Sequence, residues 1–173
     1  MPKIIENLES RLLAEAYKQT REVGYSALTI RNVAKACGVG VGTVYNYFAS
    51  KDELLATFLL EDWKQCLAIF QAESDASKEP GRMAKCIHDQ LVLFAGRHQN
   101  LFRDPVAADR FAGAFSTYHK LLRGQIAQQL RKFCGSDFAA EFVAEALLTW
   151  TVARVPFDEI YGMIEKLFDV PQP

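Results

Sequence analysis

Between Val41 and Lys51 the sequence reads VGTVYNYFASK, a stretch dense in groups that can recognise a duplex. Thr43, Tyr45 and Tyr47 can donate hydroxyl hydrogen bonds to phosphate oxygens, Val41 can meet a thymine methyl, and Gly42 lets the backbone come close. Asn46 either reaches a base or is simply solvated. Lys51 stands at the start of a further helix, where backbone N–H groups and an ammonium can jointly hold a phosphate. For Tyr45 and Tyr47 the alternative is packing beneath the helix that carries them.

These side chains need a scaffold, and the run Thr29 to Phe48, TIRNVAKACGVGVGTVYNYF, provides one. Ile30, Val33, Ala34 and Cys37 recur at helical spacing, Gly38-Val39-Gly40 breaks the helix, and Val41, Val44, Tyr45 and Phe48 mark a second short one. Two short helices joined by a glycine turn suit a helix-turn-helix, whose second helix lies in the major groove. Ala34 is small where the helices approach, Gly38 can take the positive φ of a tight exit, and Val44 can fill the angle between them. Thr29 can cap the first helix, and Leu28 with Val33 can form a hydrophobic staple. A nucleotide-binding glycine loop over Gly38–Gly42 would have to follow a β-strand, whereas the residues before it read as helix. A helical hairpin with a purely structural role remains the other alternative.

The run from Tyr17 to Leu55 resembles the DNA-binding domain of TetR-family transcriptional regulators. The resemblance is carried by Gly24 followed by an aromatic, Leu28-Thr29-Ile30, Val33-Ala34, Gly38-Val39, Thr43-Val44-Tyr45-Asn46-Tyr47-Phe48 and Lys51-Asp52-Glu53-Leu54-Leu55. It implies DNA contacts through Arg31, Val41, Gly42, Thr43, Tyr45, Tyr47 and Lys51. Val41 and Gly42 replace the polar base readers of many relatives, so direct readout is expected to be sparse and DNA shape correspondingly important. The implied protein is all-α, with a three-helix DNA-binding domain over residues 1–49 and a helical effector-binding and dimerisation domain over 50–173. Function by resemblance is a homodimeric repressor that binds a palindromic operator and is released by a small hydrophobic or amphipathic effector. The alternative is a DNA-binding adaptor whose body receives a protein partner and no metabolite. Candidate pocket residues are Trp63, Phe70, Phe94, Phe102, Phe111, Phe115, Tyr118 and Trp150, in a body short enough that the pocket is expected to be small or absent.

The chain of 173 residues is half hydrophobic, with a net charge of −1 and a pI near 6.3, which does not announce a nucleic-acid binder. Its distribution is more telling, because Met1 to Lys51 holds 7 cations against 4 acids, a net +3. Cys37, Cys66, Cys86 and Cys134 show no paired spacing, and His88, His98 and His119 form no ligand motif, so no metal or other cofactor is expected. No leader or bilayer-spanning run is apparent, which suits reduced thiols in a cytoplasmic protein without membrane contact. No phosphate loop on a strand, metal cluster or nucleophile elbow suggests an enzyme.

In chain order, Ile5, Leu8, Leu12, Ala16, Gln19 and Val23 mark a first helix that Gly24 ends. Ser50 and Glu53 form a capping box for a helix that Leu54, Leu55, Phe58, Leu59, Trp63, Leu67 and Phe70 carry to about Ala72. The polar run Glu73 to Gly81 reads as a loop, followed by helices from Met83 to about His98, from Val106 to about Phe115, and from Tyr118 to Phe133. No strand pattern appears. Phe138, Phe142, Val143, Ala146, Leu147 and Trp150 lie on one broad face, and Phe157, Ile160, Tyr161, Ile164, Leu167 and Phe168 on another, so the last two helices can pair with their copies as a four-helix bundle. Packing within one chain is the alternative. Arg154 interrupts this apolar run, where a buried charge would need a partner, and an acid across a dimer interface is expected ahead of an effector.

Overall fold

The computed structural model describes residues 7–168, apart from the side chains of residues 112–116. Its helices are α1 (Leu8–Ala27), α2 (Ile30–Cys37), α3 (Val41–Tyr45), α4 (Lys51–Ala76), α5 (Pro80–Arg97), α6 (Gln99–Phe102), α7 (Pro105–Leu130), α8 (Asp137–Val152) and α9 (Phe157–Ile164), with 3-10 turns at Arg131–Phe133 and Glu165–Leu167. The fold is all-α. Among the described residues the only β feature is an isolated bridge between Cys134 and Phe168.

The chain forms two compact units, Met1–Asp62 with His98–Arg110, and Trp63–Arg97 with Phe111–Pro173. In the first, α1 packs on α2 and α6, and α2 on α3. Leu8, Leu12, Leu13, Ala16 and Thr20 form the buried side of α1. Val23, expected on that side, is exposed, because Gly24 departs from helical geometry at φ 81°, ψ 170° and the face turns away just before it. Ile5 lies outside the described residues. In the second unit α5, α8 and α9 pack on one another around Met83, Ile87, Leu91, Val143, Leu147, Ile160 and Ile164. Each such side chain contributes about 1.5–3 kcal/mol on burial.

Two local expectations are corrected. The polar run 73–81 is mostly helix: α4 continues to Ala76, with Ser74 and Ser77 buried, and α5 opens at Pro80. Proline is favoured at a first helical position, where its missing N–H costs nothing, so Pro80 begins a helix here. The separate helices expected over 106–115 and 118–133 are one, α7, since no breaker stands between them and glycine within a long helix is tolerated.

Candidate nucleic-acid interface

The first helix of the reading pair is closed at both ends by its own sequence. Thr29 accepts a hydrogen bond from the Asn32 N–H at 3.1 Å, the expected N-cap. At the other end Gly38 has φ 69°, ψ 31°, with its N–H to the Lys35 carbonyl at 3.2 Å and the Val39 N–H to the Ala34 carbonyl at 3.0 Å. Such a Schellman closure needs a left-handed residue. Leu28, Val33, Ala34 and Val44 are all buried, so the small and branched side chains sit where the two helices meet. Arg11 ties the corner further, donating from Nη2 to the Cys37 carbonyl at 3.0 Å.

Helix α3 is short, but Tyr47 and Phe48 extend its hydrogen bonding, both donating to the Val44 carbonyl at 3.0 Å. Val44 and Phe48 are buried on its inner side. On the outer side Val41, Gly42 and Asn46 are exposed, with Tyr45 at 53% and Tyr47 at 44% exposure, while Thr43 is half-buried. The tyrosines therefore do not pack beneath the helix. Arg31 is exposed on α2. Apart from its chain neighbours and its own helix backbone, nothing lies within 4 Å of where a Cβ on Gly42 would stand, so packing does not require glycine there.

The α4 capping box forms, with the Glu53 N–H donating to Ser50 Oγ at 3.1 Å and Glu53 Oε2 accepting from the Ala49 N–H at 2.6 Å. Lys51, half-buried at this helix start, donates from Nζ to the carbonyls of Tyr25 at 3.0 Å and Leu28 at 3.4 Å, and lies 4.0 Å from the Tyr25 ring centroid. An ammonium has three donors, and the two carbonyls engage two of them.

Beside Lys51 stands a polar chain whose members lie too far apart along the chain for spacing to reveal. The Tyr25 hydroxyl donates to Asp52 Oδ1 at 2.5 Å, and Arg110 Nε donates to Asp52 Oδ2 at 2.9 Å. Burial and the Asp52 carboxylate push the Tyr25 hydroxyl up to about 12. Burial also raises the Asp52 carboxyl, but the Tyr25 and Arg110 donors outweigh it and hold it below its usual range. Asp104 caps α7 through the Val106 and Ala107 N–H groups at 2.9 and 3.1 Å, and accepts from the Ser26 N–H and hydroxyl at 3.3 Å. Deeper in the same unit His98 Nε2 lies 2.7 Å from Asp62 Oδ2, enclosed by Tyr17, Phe58 and Phe102. Sequence spacing treats His98 as an ordinary histidine, since its carboxylate partner stands on another helix.

The candidate pocket residues divide. Trp63 meets Phe70 and Phe94 edge-on at centroid distances of 5.9 and 5.6 Å, all three buried, and its indole N–H donates to Gln125 Oε1 at 2.7 Å. Phe111 is half-buried, Tyr118 and Trp150 are exposed, and the Phe115 side chain lies outside the described residues. Phe102 belongs to the other unit, against His98. Arg154 is exposed, so within one chain it carries no burial cost.

Residues 12–57 match the sequence model for bacterial regulatory proteins of the tetR family. Over these residues the chain is similar to TetR-family transcriptional regulators. It is 31% identical over 62 residues to the HTH-type transcriptional regulator UidR of Escherichia coli (strain K12), across 36% of this chain and 32% of UidR. It is 28% identical over 105 residues to the HTH-type transcriptional repressor KstR of Rhodococcus jostii (strain RHA1), across 61% of this chain and 46% of KstR. The aligned part thus spans less than half the length of either. A transcriptional regulator from Rhodococcus sp. Rha1 shares the fold at a TM-score of 0.67 and 21% identity, with 95% of this chain and 100% of that one covered. The family match ends at residue 57, and the likeness of fold extends through the helical body.

Proposed function

We propose that this regulator is a homodimeric repressor, in which two copies of α3 read the half-sites of a palindromic operator and a small hydrophobic or amphipathic effector releases the DNA. The observation that carries it is the division of α3 and the turn after it, where Val44 and Phe48 are buried while Val41, Tyr45, Asn46 and Tyr47 stay exposed. Arg31, Thr43 and Lys51 complete the contact set, with Tyr45, Tyr47 and Lys51 on phosphates and Val41, Gly42 and Asn46 toward bases. DNA reading falls to residues 1–49, joined by Lys51 just beyond them, and effector binding and dimerisation to the rest of 50–173. The cytoplasm is the compartment where such a protein meets its operator.

Dimerisation is supported by the outer side of α8 and α9. Phe138 is 78% exposed and Met163 82%, with Phe142, Trp150 and Val152 also open to solvent. Apolar side chains at that exposure favour a covering partner, and a twofold copy supplies one. A single short helix reads few base pairs, so the second copy also provides the specificity that one lacks. For the effector, the buried cluster of Trp63, Phe70 and Phe94 beside Gln125 is the wall we propose, apolar with one amide to orient a polar group. Repression is proposed by likeness to KstR, a transcriptional repressor.

The experiment is selection of bound duplexes from a random pool by the full chain. An inverted repeat with half-site centres one helical turn, about 10 base pairs, or a multiple apart is expected. Failure to enrich any sequence would overturn the proposal.

A further inference from the structure

Arg110 stands on α7, far along the chain from the reading helices, yet its guanidinium is bonded to the residue that follows Lys51. Asp52 presents two carboxylate oxygens next to an ammonium proposed to face phosphate. Left alone, that carboxylate would repel the phosphate and compete for the Lys51 ammonium, since opposite charges on adjacent residues attract. In the structure neither oxygen is left over. Oδ1 accepts from the Tyr25 hydroxyl at 2.5 Å and Oδ2 from Arg110 Nε at 2.9 Å. Tyr25 then returns to Lys51 twice, through its carbonyl at 3.0 Å and through its ring, whose centroid lies 4.0 Å from Nζ.

We propose that Arg110 is a positioning residue for DNA binding, which by occupying Asp52 holds Tyr25 and keeps the Lys51 ammonium on the carbonyls of Tyr25 and Leu28, where its third N–H can serve a phosphate. The inference rests on the reading of α3 and Lys51 as the DNA-binding face. It assigns Arg110 no contact with DNA of its own. A flexible lysine loses rotamer freedom on binding a phosphate, whereas one already fixed by two carbonyls and a ring loses little. Arg110 thereby converts a free surface charge into a placed one. Asp104, six positions earlier on the same helix start, holds the neighbouring Ser26 N–H and hydroxyl at 3.3 Å, so the Tyr25-Ser26 corner is gripped from both sides by the opening of α7.

The test is a double-mutant cycle on the full chain, with a duplex recovered by selection from a random pool as the probe and fluorescence anisotropy at two salt concentrations as the readout. Lys51→Ala is expected to weaken binding and make its salt dependence shallower by about one unit of slope. Arg110→Ala is expected to weaken binding on the order of threefold to tenfold with an unchanged melting temperature, since an exposed ion pair adds little to stability. Arg110→Lys should recover part of the loss. In the Lys51→Ala background, Arg110→Ala should change nothing further, because the group it positions is gone. An equal loss in both backgrounds would overturn the inference, marking Arg110 as a direct contact or a general fold support. Wild-type binding by Arg110→Ala while Lys51→Ala and Tyr45→Ala are impaired would overturn it alone. Wild-type binding by all three would overturn the DNA-face reading beneath it.

Discussion

Arg154 has φ 65°, a left-handed conformation that side chains with a Cβ enter at a cost of about 1–2 kcal/mol. It occupies the position after the α8 C-cap where the Arg154 N–H meets the Thr151 carbonyl at 2.9 Å and the Val155 N–H meets the Trp150 carbonyl at 3.0 Å, the Schellman geometry usually given to glycine. Arg154→Gly should therefore raise the melting temperature by about 2–4 °C in a scanning calorimeter. No change would mean the guanidinium offsets its own strain. Tyr25 makes a second residue-level case, because its hydroxyl is pushed from 10.0 up to about 12 in the folded protein. A raised folded value means the native state keeps a proton that the unfolded chain gives up. The associated stability is thus fully present below pH 10 and is lost as pH rises toward 12. Urea unfolding across that window should show a steeper decline for the wild type than for Tyr25→Phe, and parallel declines would mean that burial and the Asp52 bond do not hold the Tyr25 proton.

At the scale of elements, helix ends hold the reading pair in shape. Gly38 has open space around its missing Cβ, so Gly38→Ala adds no clash and its whole effect comes from φ 69°. Chemical denaturation should register a loss of about 1 kcal/mol, and an unaltered midpoint would show that the turn can change conformation freely. These ends were legible in the sequence because a cap is a local contract: Thr29 with Asn32, Ser50 with Glu53, and Gly38 after Cys37 each act within a few residues. The same locality made Pro80 and the polar run before it misleading, since composition alone does not tell a helix start from a loop. Tyr25, Asp52 and Arg110 were not legible as a set. Tyr25 showed only as an aromatic after Gly24, and nothing local links Asp52 to an arginine 58 positions on.

For the whole molecule, the open apolar side of α8 and α9 and the reading helices belong to one claim, that two copies act together. Phe138→Glu with Phe142→Glu places charge where the copies are proposed to meet, both positions being exposed in one chain. Sedimentation equilibrium should find a folded monomer, with operator affinity down by at least tenfold because each half-site is then bound alone; a persistent dimer would move the interface elsewhere. The most direct measurement concerns the outward face of α3 itself. Thr43→Ala with Tyr45→Ala, titrated by anisotropy against the selected duplex, should bind at least about tenfold more weakly than the wild type, with a nearly unchanged melting temperature, since Tyr45 is exposed and Thr43 only half-buried. Binding as tight as the wild type would contradict the assignment of α3 as the helix that reads DNA.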